Sequence, residues 1–104
     1  MATINKAIYA PSSIAVIGGS NDITKPGGKI LYNIIKGNYK GKLCVVNPKE
    51  KEVQGIISYA NVTDIPSVDL AIIAIASKYV EDTVSILIKD KGVNGIIILS
   101  AGFS

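Results

Sequence analysis

The chain has no histidine in its 104 residues. Histidine general bases, histidine metal ligands and phosphohistidine chemistry are therefore excluded within it. Cys44 is the single cysteine, so there is neither an intrachain disulfide nor a cysteine metal cluster. Within the apolar run Leu43–Val46 it reads as a small buried hydrophobe rather than a reactive thiol. Aromatic residues make up only 6% of the chain, and the net charge of +3 is scattered rather than striped. Neither a base-stacking platform nor a nucleic-acid footprint is present. The apolar runs are short: Ile14–Ile17, Leu43–Val46, Leu70–Ala76 and Ile96–Leu99. None approaches the roughly 18 residues of a membrane span, and the opening MATINKAIYAPSS lacks the apolar stretch of a secretory signal. A cytoplasmic location without membrane or nucleic-acid partners is the expectation. No pair of carboxylates is set for general acid–base work: Glu81 and Asp82 are adjacent and point differently on a helix. Ser20, Ser77 and Ser100 have no histidine to activate them. No catalytic residue and no metal site is expected.

What is present is apolar and foldable. Hydrophobic residues make up 48% and charged residues 18%, which excludes disorder. The length suits one domain with one core. The most informative stretch, Ser13 to Leu31, reads SIAVIGGSNDITKPGGKIL. An apolar strand ends at Gly18-Gly19, a polar loop follows, and a second glycine pair, Gly27-Gly28, opens a helix with Pro26 near its first turn. This arrangement presents backbone N–H groups and a helix dipole to a phosphate.

The remaining pattern repeats the alternation. Ile30, Leu31, Ile34 and Ile35 give the first helix an apolar stripe, with Gly37 as its stop. Leu43–Val46 is a second strand, ended by Asn47-Pro48-Lys49. Val53 to Tyr59 reads as one short third strand, and Asn61 to Pro66 as a single helical turn capped by Asn61. Leu70–Ala76 is a strong strand. Ser77 caps a helix running to Lys91, with Val80, Val84, Leu87 and Ile88 on one face and Gly92 as stop. Gly95–Ser100 is the last strand. Right-handed crossovers turn this order into an α/β fold: a Rossmann-like open parallel sheet of about five strands with helices on both faces. The chain stops directly after a strand, where such folds continue into a helix. The expectation is an N-terminal piece of a larger protein, or a chain that pairs with a partner.

Ligands of such sheets bind beyond the C-terminal strand ends, at the switch in strand order. The segments expected there are Gly18, Gly19, Ser20, Asn21, Lys25, Pro26 and Gly27 in the first loop, then Asn47, Pro48 and Lys49, then Ile75, Ala76 and Ser77, and finally Gly102. Ser20, Asn21 and Thr24 can donate side-chain hydrogen bonds. NAD-binding folds end their second strand in an acid that accepts from the ribose hydroxyl. Here Asn47-Pro48-Lys49 stands instead, and a lysine attracts a phosphorylated ribose, as in NADP or coenzyme A. Glu50, slightly further on, leaves NAD open.

The ordered set SIAVIGGS, K-P-GG-K-IL, VNPK, a DIP turn, VDLAIIAI and GIIILSAGF resembles the CoA-binding domain of nucleoside-diphosphate-forming acyl-CoA synthetases. That domain is similar to the N-terminal domain of the succinyl-CoA synthetase alpha subunit. The resemblance covers about Pro11 to Phe103. It implies a reversible reaction in which acyl-CoA, nucleoside diphosphate and phosphate give free acid, CoA and nucleoside triphosphate. The phosphorylated histidine and the ATP-grasp domain of that family lie on other domains or a beta-type subunit, so the isolated chain is expected to be inactive. What carries over is a CoA cradle. Gly18 to Asn21, Lys25 and Pro26 hold the CoA phosphates, and Lys49 lies near the adenosine end. Where the family has V-P-A after the fourth strand, this chain has Ile75-Ala76-Ser77, which loosens that loop. Two alternatives remain open at this point. One is a CoA-binding regulatory module of a protein acyltransferase, or a free-standing CoA-binding protein. The other is an NAD(P)-binding oxidoreductase domain.

Overall fold

The computed structural model describes residues 11–99. The first strand, β1 (Ser13–Ile17), is apolar on both faces because each face is covered. Ile14 and Val16 enter one core, Ala15 and Ile17 the other. Helix α1 (Pro26–Lys36) closes the first face through buried Leu31, with Ile30 and Ile34 packed beside it. Helix α2 (Val80–Lys91) closes the second through buried Leu87, with Val80 and Val84. Ile35 and Ile88, the fourth members of the expected stripes, are exposed. Each follows a core position by one residue, a rotation of about 100° away from the sheet.

The sheet order is β3-β4-β2-β1-β5-β6, with β2 (Lys42–Val46), β4 (Ile56–Tyr59), β5 (Leu70–Ile73) and β6 (Gly95–Ile98) parallel to β1. β1 is flanked by β2 on one side and β5 on the other, so the strand order reverses between β1 and β5 and opens a crevice there. This is the expected Rossmann-like sheet with helices on both faces. One strand is added: the segment read as a single strand is a hairpin, in which β3 (Glu52–Val53) runs antiparallel to β4. Its turn is Gln54-Gly55, with φ of 51° and 84°, positive at both central positions as a type I′ turn requires.

Three helix boundaries differ from expectation in detail. Helix α1 does stop at Gly37, but that residue has φ −74°. Asn38 takes the left-handed conformation at φ 60° instead. Its N–H reaches the Ile35 carbonyl (3.0 Å), and the Tyr39 N–H reaches Ile34 (3.3 Å), a Schellman closure with asparagine in the usual glycine place. Ser77 is not a side-chain cap. It opens a short 3-10 turn, Ser77–Tyr79, that runs straight into α2. Asn61 precedes a 3-10 turn over Val62–Asp64, again without a side-chain cap bond.

The N-terminal rim of the sheet is tied together by Asp69. Its carboxylate accepts the Ser12 backbone N–H (3.0 Å) and the Asn94 amide (2.8 Å). Its N–H donates to the Ser13 hydroxyl (2.8 Å), and its carbonyl accepts from Asn94 (2.9 Å) and Gly95 (3.1 Å). One residue thereby joins the starts of β1, β5 and β6. Cys44 is buried on the α2 face. Burial pushes its thiol up to about 11, so it stays protonated and unreactive at neutral pH. Among the described residues, no helix is long and apolar enough to cross a membrane.

Candidate functional site

The opposite, C-terminal rim carries the glycines. Gly18 follows β1 with φ 92°, a conformation that side chains disfavour, and its N–H donates to the Val46 carbonyl (2.9 Å). A Cβ on Gly18 would stand 2.4 Å from the Ala74 carbonyl oxygen. A Cβ on Gly27 would stand 2.0 Å from the Gly18 oxygen, and one on Gly28 equally 2.0 Å from the Asp22 oxygen. Gly18 and Gly27 let the start of α1 seat directly on the end of β1, beside the end of β5, and Gly28 lets the polar loop fold back onto the helix. The first turn of α1 contains no acidic residue, while that of α2 contains Glu81 and Asp82. The positive end of the α1 dipole faces the glycine loop, with Lys25 and Lys29 exposed beside it and the Asp22 carboxylate on the Thr24 N–H just before the cap.

The polar loop between the glycine pairs is ordered by its own side chains. The Asp22 N–H donates to the Ser20 hydroxyl oxygen (2.9 Å), which leaves the Ser20 proton able to donate outward. The Asp22 carboxylate accepts the Thr24 hydroxyl (2.5 Å) and the Thr24 N–H (2.9 Å). These bonds, the hydroxyl first, hold the Asp22 carboxyl below the usual carboxylate range, with Lys25 adding to them. A carboxylate so shifted stabilises the loop above its ordinary pKa, and that contribution is lost as pH falls through the lowered value.

Asn47 joins two segments of the expected site. Its amide donates to the Gly19 carbonyl (3.0 Å), and its side-chain oxygen accepts the N–H groups of Lys49 (2.8 Å) and Glu50 (3.2 Å). Asn47 thus fixes the turn that carries Pro48 and Lys49, both exposed, against the glycine loop. Ile75 is half-buried beside Gly18, and Ala76 and Ser77 are exposed at the end of β5. Gly102 lies outside the described residues. The structure therefore brings Gly18, Gly19, Gly27, Asn47 and Ile75 together. It sets Lys25, Lys49, Ala76 and Ser77 around them on the solvent side.

The sequence reading does not point to Gln54, yet it makes three hydrogen bonds to the glycine loop, where Asn47 makes one. Its side-chain amide donates to the carbonyls of Ser20 (2.8 Å) and Gly28 (2.9 Å), and its backbone N–H donates to the Asn21 side-chain oxygen (2.7 Å). The Asn21 amide in turn donates to the Glu52 carbonyl (3.4 Å). Asn21, expected to face a ligand, is thus engaged with the β3–β4 hairpin. The available signal was Gln54-Gly55 between Val53 and Ile56-Ile57, an X-Gly hairpin turn.

These features fit a ligand with several phosphates: a glycine turn, a helix whose first turn carries no acid, and lysines at two rim positions. No group of three or more His, Cys, Asp or Glu that could hold a metal ion occurs among the described residues. Known proteins resemble this chain in sequence and fold. The alpha subunit of the ADP-forming acetate–CoA ligase II from Pyrococcus furiosus is 46% identical over 96 residues, covering 91% of this chain and 21% of that protein. The ADP-forming 4-hydroxybutyrate–CoA ligase from Nitrosopumilus maritimus is 38% identical over 97 residues, covering 92% of this chain and 14% of its own length. The solved acetyl-coenzyme A synthetase 1 of Candidatus Korarchaeum cryptofilum, in complex with phosphate and ADP, superposes with a TM-score of 0.85 at 34% identity. It covers 96% of this chain and 22% of that one. The chain thus spans about a fifth or less of the length of these relatives. A family model described as a CoA binding domain matches residues 12–104, and the chain belongs to that CoA-binding domain family.

Proposed function

We propose that this chain is the CoA-binding domain of a nucleoside-diphosphate-forming acyl-CoA synthetase, working in the cytoplasm with further synthetase domains or a beta-type subunit. The observation that carries the reading is the start of α1. It is seated on Gly18 through Gly27 and on the Asp22 carbonyl of the loop through Gly28, with no carboxylate in its first turn. In this reading Gly18, Gly19, Ser20 and the start of α1 bind the CoA phosphates, with Lys25 adding charge. Lys49, held in its turn by Asn47, meets the ribose phosphate. Ile75, Ala76 and Ser77 line the path of the pantetheine arm.

Bound CoA supplies the thiol that carries the acyl group. The whole enzyme would convert acyl-CoA, nucleoside diphosphate and phosphate into acid, CoA and nucleoside triphosphate. This chain's residues bind and orient. They contain no histidine, so the phosphohistidine of the resembled family would come from elsewhere in the assembly.

Calorimetry and thermal unfolding of the 104-residue chain with CoA test this reading. At CoA concentrations about 100 times Kd, mass action stabilises the fold by about 2.7 kcal/mol. The melting temperature should therefore rise with CoA and rise less with NADPH. No shift at millimolar CoA would overturn the reading, and a larger shift with NADPH would favour an oxidoreductase domain. Lys49→Ala should weaken CoA about fivefold, the value of an exposed charge pair, and leave dephospho-CoA unchanged. Equal losses for both ligands would remove Lys49 from the ribose phosphate.

A further inference from the structure

The β3–β4 hairpin joins both cores: Val53 is fully buried in the first with Ile56 beside it, and Tyr59 packs against the second. Its tip also reaches the glycine loop. Gln54 sits at φ 51°, a left-handed conformation that costs a residue with a Cβ about 1–2 kcal/mol. Asparagine is the preferred residue at this position of a type I′ turn. It carries the same amide but is one methylene shorter. Glutamine is a poorer choice for the turn, and what it adds is reach: the extra methylene lets its amide meet two carbonyls on opposite sides of the loop, Ser20 (2.8 Å) and Gly28 (2.9 Å). Ser20 lies before the polar excursion and Gly28 within α1. One amide therefore clamps the entrance of the loop to its exit, while the Gln54 N–H secures Asn21 between them (2.7 Å). Backbone strain at one residue is exchanged for order in a neighbouring segment.

We propose that Gln54 is a positioning residue for the ligand: it holds the loop from Gly19 to Gly28 in the shape that receives the CoA phosphates, without touching them. The proposal rests on the CoA reading of this loop. It separates turn stability from loop order, and two variants exploit that. Gln54→Asn and Gln54→Gly both relieve the turn and both lose the clamp, so relief and loss roughly offset each other in the unfolding midpoint.

The test uses the full chain and CoA itself. Urea denaturation, amide hydrogen exchange over residues 19–25 and calorimetric CoA affinity are measured for wild type and both variants. The expected result is a nearly unchanged midpoint, faster exchange confined to the loop, and CoA bound about tenfold more weakly, as the loss of two hydrogen bonds predicts. A purely structural residue would move the midpoint and leave the affinity of the folded protein alone; that outcome overturns the proposal. Unchanged loop exchange overturns it as well. If wild type binds CoA and Gln54→Asn binds it equally, the role of Gln54 fails while the ligand reading stands. If wild type itself does not bind CoA, the ligand reading fails and takes the proposal with it.

Discussion

Gly27→Ala is expected to remove about 3 kcal/mol or more of stability and to abolish the CoA-induced thermal shift with it. The added methyl would stand 2.0 Å from the Gly18 carbonyl oxygen. Both partners are backbone, so no side chain can swing aside. Relief requires the start of α1 to lift off the end of β1, and that is the junction at which the phosphates are proposed to bind. Stability and binding should therefore fail together, which circular dichroism melts with and without CoA will show. Gly92→Ala is the contrast. Gly92 ends α2 at φ 58° with nothing within 4 Å of its added methyl. Only the conformational penalty of about 1–2 kcal/mol applies, and CoA should still raise the melting temperature. A Gly27→Ala protein that melts and binds like wild type would refute the close docking of α1.

Asp69→Ala should do the reverse and lower stability without changing the affinity of the folded protein. The substitution deprives the Ser12 N–H and the Asn94 amide of a charged acceptor. Hydrogen bonds to charged groups contribute about 1.5–3 kcal/mol each when lost singly, and the starts of β1, β5 and β6 all depend on this residue. A loss of about 2–3 kcal/mol is expected, a fall in melting temperature of about 10 °C or more for a domain of this size. Asp69→Asn should rescue part of the loss: its oxygen can accept the Ser12 N–H and its amide nitrogen can donate to the Asn94 side-chain oxygen once that amide turns over, but the charge is gone. Calorimetry at a temperature where the variant is folded should return the wild-type Kd for CoA. A weakened Kd would mean that the two rims are coupled.

The order of strands and helices was legible because each strand but the hairpin is a continuous branched-apolar run, and each helix carries an apolar stripe ended at or near a glycine. The hairpin was not. Val53 to Tyr59 holds enough apolar residues to pass for one strand, and its turn uses glutamine where asparagine would have signalled it. The same residue is why part of the site was hidden. Glycines announce a backbone that comes close to something, and in this molecule the first thing they approach is other backbone: Ala74, Gly18 and Asp22. A side chain that works from a different hairpin leaves no local pattern. Asn47 was placed at the site by its position after β2. Its bond to the Gly19 carbonyl depends on strand neighbours brought together only by folding. Asn38 shows the same limit on a smaller scale. Gly37 marks the end of α1, but the left-handed residue is the next one, because asparagine tolerates that conformation nearly as well.

β1 is five residues long, so its two ends are about 13 Å apart. Perturbations separated by more than about 10 Å, with no shared partner, generally add independently. Asp69 stands at one end and the glycine turn at the other. A lineage carrying this domain can therefore accumulate destabilising changes while retuning its ligand at the loop end. It can then compensate for them at the carboxylate end, with neither set of changes constraining the other. Stability lost where the ligand is tuned can be restored a strand's length away, at a rim the ligand does not reach.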